Sequence, residues 1–186
     1  GDRAVFVQAD TNDFDDDKRQ YVWFHDERTG QPDTIVSQLP GLNDEAARPV
    51  ISDDGNVIAY RYRIGTTTGV RVHDVTDGTI GEPEDYPAAS AALSADGRYL
   101  VTLRHNPETG NPMVHRHDRI TGEGIVVVEL PGLANNLDVS ADGGVVVYSV
   151  SYRDDADEYR TEIRLTDVAT GTTDAVAAVD SSPKVD

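Results

Sequence analysis

The sequence contains no cysteine, one methionine and one tryptophan. No apolar run approaches the roughly 20 residues that a membrane-spanning helix needs, so we expect no transmembrane segment. The absence of cysteine excludes disulfides, thiol nucleophiles and cysteine-ligated zinc or iron–sulfur sites. The N-terminus carries no charged and then apolar leader, so the sequence is expected to represent a mature form.

The composition is strongly acidic and poor in lysine. The 186 residues include 34 Asp and Glu against 16 Lys and Arg, which gives a net charge of −18, and 25 of the acids are Asp. Such a surface repels nucleic-acid phosphates, so we expect no nucleic-acid partner and favour cations or basic proteins. An acidic surface is also typical of proteins that work in concentrated salt, and the composition does not separate these explanations.

Two short motifs recur along the chain. Ser-x-Asp-Gly occurs three times, at residues 52–55, 94–97 and 140–143, each time before a run rich in Val, Ile or Tyr. Asp-x-x-Thr-Gly or Asp-x-x-Asp-Gly occurs four times, beginning at Asp26, Asp74, Asp118 and Asp167, with spacings of 48, 44 and 49 residues. Asp closes a tight turn through nearby backbone N–H groups, and Gly adopts the positive φ that the turn needs. Equivalent copies indicate a structural role for these residues.

One unit therefore consists of four antiparallel strands, and its repeat length is typical of a propeller blade. The sequence predicts an all-β fold, a β-propeller of about four four-stranded antiparallel blades in a single domain, residues 1–186. The predicted blades are approximately 1–45, 46–87, 88–134 and 135–180. Residues 181–186 resemble the segment before the first Ser-x-Asp-Gly turn, so they are predicted to complete the first blade. The chain is then either a small closed ring or part of a larger propeller.

The repeats resemble the TolB-type, WD-repeat-like β-propeller family of bacterial secreted and cell-envelope proteins. Residues 94–101 match the first half of the family unit, and residues 9–12 with 22–30 match the second half. The resemblance covers essentially the whole chain, although the acidic loop of the family is missing from the second and third units. It implies an extracellular or cell-envelope location and a role in binding or scaffolding. Related propellers also gate the catalytic domain of prolyl-oligopeptidase-like peptidases.

The predicted function is that of a non-catalytic, extracytoplasmic propeller that binds a protein or another ligand through its loop face. This is the face that carries the acidic loops and the crossings between blades, opposite to the repeated turns. One alternative is a structural segment of a larger self-associating surface or appendage protein. Another is a glycan- or peptide-processing enzyme, or its gating propeller. The common nucleophile, zinc-protease and phosphate-binding motifs are missing, so no catalytic or cofactor-binding residue is predicted.

The aromatic side chains have two possible roles. Most of them are expected to fill the space between blades, namely Tyr60, Tyr62, Tyr99, Tyr148 and Tyr152. The alternative is an aromatic platform that binds a sugar.

Two acidic loops are candidate calcium sites. Their possible ligands are Asp10, Asn12, Asp13, Asp15, Asp17, Asp154, Asp155 and Asp157. Oxygen ligands at alternate positions suit calcium, although the helix–loop–helix calcium pattern is missing. The alternative is a pair of solvated acidic loops without a bound ion. A calcium site predicts that calcium raises the melting temperature.

Three histidines, His25, His73 and His117, each stand directly before the repeated Asp. Because side chains alternate along a strand, the apolar neighbours at Val70 and Val72 predict that these histidines point away from the core, to the surface. Arg116 occupies the position of Val72 in the third unit, and the sequence pattern offers no physical account of it.

Overall fold

The computed structural model describes residues 2–9, 20–37 and 44–180, and across these ranges it contains strands and turns but no helix. The all-β prediction is therefore confirmed, and the described part of the chain offers no helix able to cross a membrane.

The strands fall into four consecutive sets, which we call units 1 to 4. Unit 1 contains β1 (Arg3–Ala9), β2 (Gln20–Asp26) and β3 (Thr34–Ile35). Unit 2 contains β4 (Glu45–Ile51), β5 (Val57–Ile64), β6 (Thr67–Thr76), β7 (Thr79–Ile80) and β8 (Glu84–Tyr86). Unit 3 contains β9 (Ser90–Leu93), β10 (Tyr99–His105), β11 (Pro112–Asp118) and β12 (Gly124–Glu129). Unit 4 contains β13 (Leu133–Val139), β14 (Val145–Arg153), β15 (Tyr159–Asp167) and β16 (Thr173–Asp180).

Each unit is an antiparallel meander in which neighbouring strands follow one another along the chain, except that in unit 2 both β7 and β8 pair with β6. Units 3 and 4 are separate four-stranded sheets, with the strand orders β12-β11-β10-β9 and β13-β14-β15-β16. Units 1 and 2 share one eight-stranded sheet. A single parallel bridge between Gln20 and Glu45 connects them, so the two meanders are otherwise distinct.

The Ser-x-Asp-Gly turns have the structural role that the sequence predicts. In unit 3 the Ser94 hydroxyl donates to Asp96 Oδ1 at 2.8 Å and accepts from the backbone N–H of Tyr99 at 2.9 Å. Gly97 closes the turn with φ +67°. The same pattern recurs around Ser52 and Ser140, so one side-chain arrangement starts the second strand of units 2, 3 and 4.

The core lies between the units. One apolar cluster joins unit 1 to unit 2 and includes Val22, Phe24 and Tyr60. A second joins units 2 and 3, and a third joins units 3 and 4. Tyr60 and Tyr148 are each only 1% exposed, and Tyr62 is also buried, so the prediction that aromatics fill the space between units is confirmed for these three.

The surface prediction for the histidines is wrong for His73, which is 5% exposed. Its ring stacks on Tyr60 with centroids 5.8 Å apart, and its Nδ1 lies 2.8 Å from the carbonyl oxygen of Gly81. The alternation was assigned correctly, but both faces of an inner sheet are covered by neighbouring units. Val72 faces unit 3, so the His73 side chain on the opposite face of β6 lies in the contact between units 1 and 2. His117 is half-buried for the same reason, whereas the His25 side chain is 45% exposed.

Arg116 has a clear structural partner in the next unit. Its guanidinium lies over the ring of Tyr99, 4.5 Å from the ring centroid. Its Nη1 donates to the carbonyl oxygen of Gly143 at 3.0 Å. The residue thus links the turn of unit 4 to unit 3, a contact that depends on the neighbouring unit and leaves no trace in the repeat pattern.

The described residues show apolar clusters between consecutive units only, and none of these clusters joins unit 1 to unit 4. Residues 181–186, which are predicted to complete the first blade, lie outside the described residues. Closure of the array and the predicted blade boundaries therefore stay predictions.

Candidate functional site

The tight turns lie together at one end of the sheets. The backbone N–H of Asp54 donates to the carbonyl of Ala95 at 3.2 Å, and that of Ala95 donates to the carbonyl of Ala141 at 3.0 Å. The turn of unit 3 also contacts unit 2. Gly97 lies so close to the Val57 side chain that a Cβ added at Gly97 would collide with it. These turns form a continuous surface across units 2, 3 and 4, which we call the turn face.

A cavity of ≈ 930 Å³ opens on the turn face and is bounded by units 1, 2 and 3. Nine charged side chains line it: Asp26, Asp74, Asp77, Glu84 and Asp96, with Arg3, Arg28, Arg98 and Arg119. Most of them belong to the two repeated turns or to the residues directly after them. The repeat therefore places these side chains at the same end of each unit, and the packing of the units brings them together.

Two arginines of unit 1 share one buried carboxylate in the wall of the cavity. Arg3 Nε lies 2.7 Å from Asp26 Oδ2, and Arg28 Nε lies 3.1 Å from Asp26 Oδ1. The Arg28 and Arg3 guanidiniums hold the pKa of Asp26 well below its usual range. Arg3 also donates to the carbonyl oxygen of Gly55 at 2.9 Å, so this ion pair ties unit 1 to the first turn of unit 2.

Arg98 forms the equivalent pair in unit 3. Its Nη2 lies 2.6 Å from Asp118 Oδ2, and hydrogen bonding to Arg98 is the main reason that the pKa of Asp118 falls to about 2. The Asp118 carboxylate also accepts the backbone N–H groups of Ile120 and Thr121, so the ion pair and the turn share one side chain.

Arg119 is a buried cation of the cavity wall, with a side chain that is 8% exposed. Its Nη2 donates to Asp74 Oδ1 at 2.9 Å and its Nη1 donates to the carbonyl oxygen of Gly97 at 3.2 Å. Its Nε lies 3.8 Å from Glu84 Oε2, beyond hydrogen-bond distance. Arg119 therefore connects unit 3 to two carboxylates of unit 2 that are themselves 62% and 54% exposed.

The cavity has an excess of negative charge. Its lining contains five carboxylates and four guanidiniums, and each guanidinium is already paired with a carboxylate. The carboxylates of Asp74 and Glu84 are exposed on the open side of the cavity, and Ile120, 75% exposed, provides an apolar contact at the rim. Such a lining suits a positively charged group better than an anion.

Only the second of the two predicted calcium loops lies within the described residues, and calcium binding stays a prediction for both loops, Asp155 included. Asp10, Asn12, Asp13, Asp15 and Asp17 lie outside the described residues, so their predicted role stays a prediction. In the second loop, Asp154 accepts two backbone N–H groups and pairs with Arg160 at 2.8 Å, while Asp157 pairs with Arg153 at 2.9 Å. Across the described ranges no group of three or more His, Asp or Glu side chains is placed to hold a metal ion.

The sequence reasoning missed the arginines of the turn face. The signal was present at Arg119, which follows the repeated Asp where the other units have Glu27, Val75 and Val168. A basic residue in one copy of an otherwise variable turn position does not show which partner it will meet. That partner, Asp74, belongs to another unit and lies 45 residues away.

Solved structures with the same architecture are known. The chain is similar to TolB from Acinetobacter baumannii, with a TM-score of 0.60 and 18% identity, covering 93% of this chain and 40% of that chain. It is also similar to a chain described as TolB from Agrobacterium tumefaciens, with a TM-score of 0.64 and 14% identity, covering 95% of this chain and 62% of that one. A third is the β-propeller domain of the Trilobed protease from Pyrococcus furiosus, with a TM-score of 0.54 and 13% identity, covering 76% and 44%.

These likenesses define the class of protein. At such identities they show the fold alone, and the fold is that of a β-propeller. More narrowly, it is the fold of TolB and related propellers, which confirms the resemblance seen in the repeats. The chain spans between 40% and 62% of the length of the three structures. No family model matches the sequence, and no curated protein matches it either.

Proposed function

We propose that this protein is a non-catalytic binding or scaffolding propeller that works outside the cytoplasm, and that its turn-face cavity holds a positively charged segment of a protein partner. The observation that carries the proposal is the cavity of ≈ 930 Å³, which three successive units bound with more carboxylates than guanidiniums. Tight turns on rigid sheets provide a preformed site of this kind.

The proposed architecture is a propeller of four blades, with the approximate boundaries 1–45, 46–87, 88–134 and 135–180. The four antiparallel meanders and the apolar clusters between consecutive ones support it. The extracellular or cell-envelope location rests on the resemblance to TolB-type repeats.

The exposed carboxylates explain why the partner is expected to be cationic. Asp74 and Glu84 share Arg119, so one guanidinium faces two acids on the open side of the cavity. A lysine or arginine of the partner would complete this arrangement with charge-assisted hydrogen bonds. The predicted loop face is a second binding surface in this proposal, with the calcium-type loop at Asp10 to Asp17 as its most acidic segment.

A second candidate is an accessory propeller of a peptidase. The likeness to the propeller domain of the Trilobed protease favours it. In that case the chain would act on a peptide only together with a catalytic domain. Hydrolysis of a peptide or glycan library by this chain alone would instead support the enzymatic alternative.

Binding of a labelled hexa-arginine peptide tests the cavity directly, with a hexaglutamate peptide as the probe of opposite charge. We expect the arginine peptide to bind and the glutamate peptide not to bind. Binding should weaken between about 0.1 M and about 1 M salt because the Debye length falls about threefold. The double variant Asp74→Asn with Glu84→Gln should weaken binding by about tenfold, since the two exposed carboxylates beside Arg119 are lost.

The matched control is Asp157→Asn with Glu158→Gln, which removes the same charge from exposed residues of unit 4. This control should retain the affinity of the unmodified protein. Equal weakening by both double variants would mean that the peptide senses only the net charge of −18. The proposal for the cavity would then be wrong.

A further inference from the structure

Another cavity, of ≈ 380 Å³, lies against the first strands of units 2, 3 and 4, which are β4, β9 and β13. Each of these strands contributes the residue four positions before its repeated serine, together with the residue that follows it. The first kind of position is occupied by Arg48, Ser90 and Asn136, and the second by Pro49, Ala91 and Leu137. The repeat therefore brings equivalent positions of three units to one cavity, which we call the first-strand cavity.

The first-strand cavity is basic, although the chain has a net charge of −18. Its described lining includes two arginines, Arg48 and Arg61, and no carboxylate. Arg61 Nη1 lies 3.8 Å from Glu45 Oε1, whereas Arg48 has no carboxylate within ion-pair distance across the described ranges. In the turn-face cavity, by contrast, each guanidinium is paired. An unpaired guanidinium in a lining without acids suits an anionic group.

Two of the three equivalent positions have an unusual backbone. Arg48 has φ +53° and Asn136 has φ +50°. Both belong to β-bulges, since residues 48–49 lie opposite Tyr60 and residues 136–137 lie opposite Tyr148, where the ladder changes register. Asparagine tolerates the left-handed region, but arginine seldom adopts it, and glycine would fit the bulge of unit 2 with less strain. Backbone strain of this kind concentrates at binding sites.

Ser90 provides an unused hydrogen-bond donor at the third position. Its hydroxyl is buried and has no hydrogen-bond partner among the described residues. A buried hydroxyl without a partner costs stability, which is why most such groups are paired. Asn136 Nδ2 lies 3.3 Å from Ser149 Oγ, and the amide has a second N–H to donate. The cavity therefore combines one unpaired cation with polar groups that are able to donate to an anionic oxygen.

We propose that the first-strand cavity binds a carboxylate group, with Arg48 as the cation and Ser90 as a hydrogen-bond donor. A planar guanidinium meets the two oxygens of a carboxylate in a fork. A single unpaired guanidinium also matches the one charge of a carboxylate better than the two charges of a phosphate. The inference is independent of the proposed function, because the two cavities share no lining residue.

The rest of the lining indicates what carries the carboxylate. Pro49, Val50, Ala91 and Leu137 are apolar, so the ligand has a small apolar body beside its charged group. The volume lies near the lower end of the range for small-molecule sites. A short aliphatic acid and the C-terminal residue of a peptide share this chemistry.

Calorimetric titration with four probes tests the proposal and separates the two sources. Butyrate is compared with butyramide, and acetyl-trialanine is compared with its C-terminal amide, so each pair differs mainly in charge. We expect a carboxylate to bind with a dissociation constant on the order of 1 mM, and neither amide to bind. Tighter binding of butyrate would identify a free acid as the source, and tighter binding of the peptide would identify a C-terminus. The proposal is wrong if no carboxylate binds at about 10 mM, or if an amide binds equally well.

The variant Arg48→Gln removes the cation and keeps most of the side-chain length. We expect it to weaken carboxylate binding by about tenfold or more. The matched control is Arg153→Gln, which removes the same charge from a 48% exposed arginine of unit 4 and should retain the affinity of the unmodified protein. Equal weakening by both variants would mean that the probe senses only net charge, and the site would be rejected.

Ser90→Ala separates a binding role from a structural one. The substitution removes a hydroxyl that has no partner in the described structure, so the melting temperature without ligand should stay the same or rise. Carboxylate binding should nevertheless weaken by about fivefold, because one donor to the anion is lost. A lower melting temperature with unchanged affinity would assign Ser90 to folding alone and contradict its place in the site.

Discussion

The contact between units 3 and 4 differs from the contact between units 2 and 3, although the same repeat makes both. Between units 3 and 4, Val101, Val114, Val146 and Tyr148 are each at most 1% exposed and form an apolar cluster. Between units 2 and 3 the apolar cluster is built of Val and Ala with a single buried Leu, and polar side chains lie beside it. The repeat therefore determines which surfaces meet but leaves their polarity free to differ.

The polar side of the contact between units 2 and 3 is a histidine pair. The rings of His115 and His117 have centroids 4.2 Å apart, and His117 meets the edge of Tyr86 at 5.0 Å. Arg104 is the nearby cation, and Glu84, which accepts the Tyr86 hydroxyl at 2.9 Å, is the nearby acid. The stability of this contact should depend on pH and salt, whereas the stability of the contact between units 3 and 4 should depend mainly on packing.

The largest effect is expected for Tyr148→Ala. The ring is 1% exposed, and its hydroxyl lies 3.1 Å from Thr166 Oγ1. Truncating a large buried aromatic side chain leaves a cavity, so we expect a loss of about 3–5 kcal/mol in the free energy of unfolding. Urea denaturation measures it. Tyr159→Ala, at a residue that is 55% exposed, is the matched control and should cost less than about 1 kcal/mol. Equal losses would contradict the assignment of Tyr148 to a packed interface.

An intermediate effect is expected from acid. Burial, His117 and Arg104 lower the pKa of His115 to about 4, and burial and Arg104 lower the pKa of His117. Because the unfolded chain binds these protons near pH 6.5, their contribution is fully present above that pH and is lost as the pH falls toward 4. We expect a loss on the order of 2 kcal/mol across this window.

The variant His115→Gln tests whether this contact is responsible. Even if it lowers the overall stability, it should flatten the change in unfolding free energy between about pH 7 and about pH 4.5. His25→Gln changes a 45% exposed histidine and should keep the slope of the unmodified protein. Burial also lowers the pKa of His73, at the contact between units 1 and 2, so part of the slope should persist in His115→Gln. An unchanged slope in that variant would contradict the role of the pair.

The smallest loss of stability is expected from replacing Arg119 or Arg116, and its dependence on salt should distinguish the two. Arg119→Met removes the ion pairs to Asp74 and Glu84 between units 2 and 3, while Arg116→Met removes a hydrogen bond to a carbonyl between units 3 and 4. Each should cost about 1–2 kcal/mol. Only the cost of Arg119→Met should shrink as salt rises to about 1 M, because its partners are exposed carboxylates. Thermal unfolding in both salts measures the difference, and equal salt dependence would contradict it.

The repeat motifs were sufficient to predict the all-β fold and the turns. A serine, an aspartate and a glycine at fixed spacing close a turn through local hydrogen bonds, so the structure around Ser94, Asp96 and Gly97 follows from the residues themselves. The prediction for His73 failed because side-chain alternation distinguishes two faces but not whether each face is covered.

The candidate site could be predicted only in part. The repeat indicates that Asp26, Asp74 and Asp118 lie at the same end of their units, since each begins an equivalent turn. It does not indicate that Arg119 reaches Asp74, because that ion pair crosses from one unit to another. The predicted calcium ligands Asp154 and Asp157 have arginine partners close in sequence, within six residues, yet the acidic pattern alone did not reveal the pairing.

The sequence by itself determined the strands, the turns and the period with which they repeat, because these depend on hydrogen bonds and backbone preferences within a few residues. Only the tertiary structure decided that Arg119 meets Asp74, which histidines are buried and where the turn-face cavity opens. Those features depend on how one unit is placed against the next, and Arg119 and Asp74 are about one repeat apart in the chain.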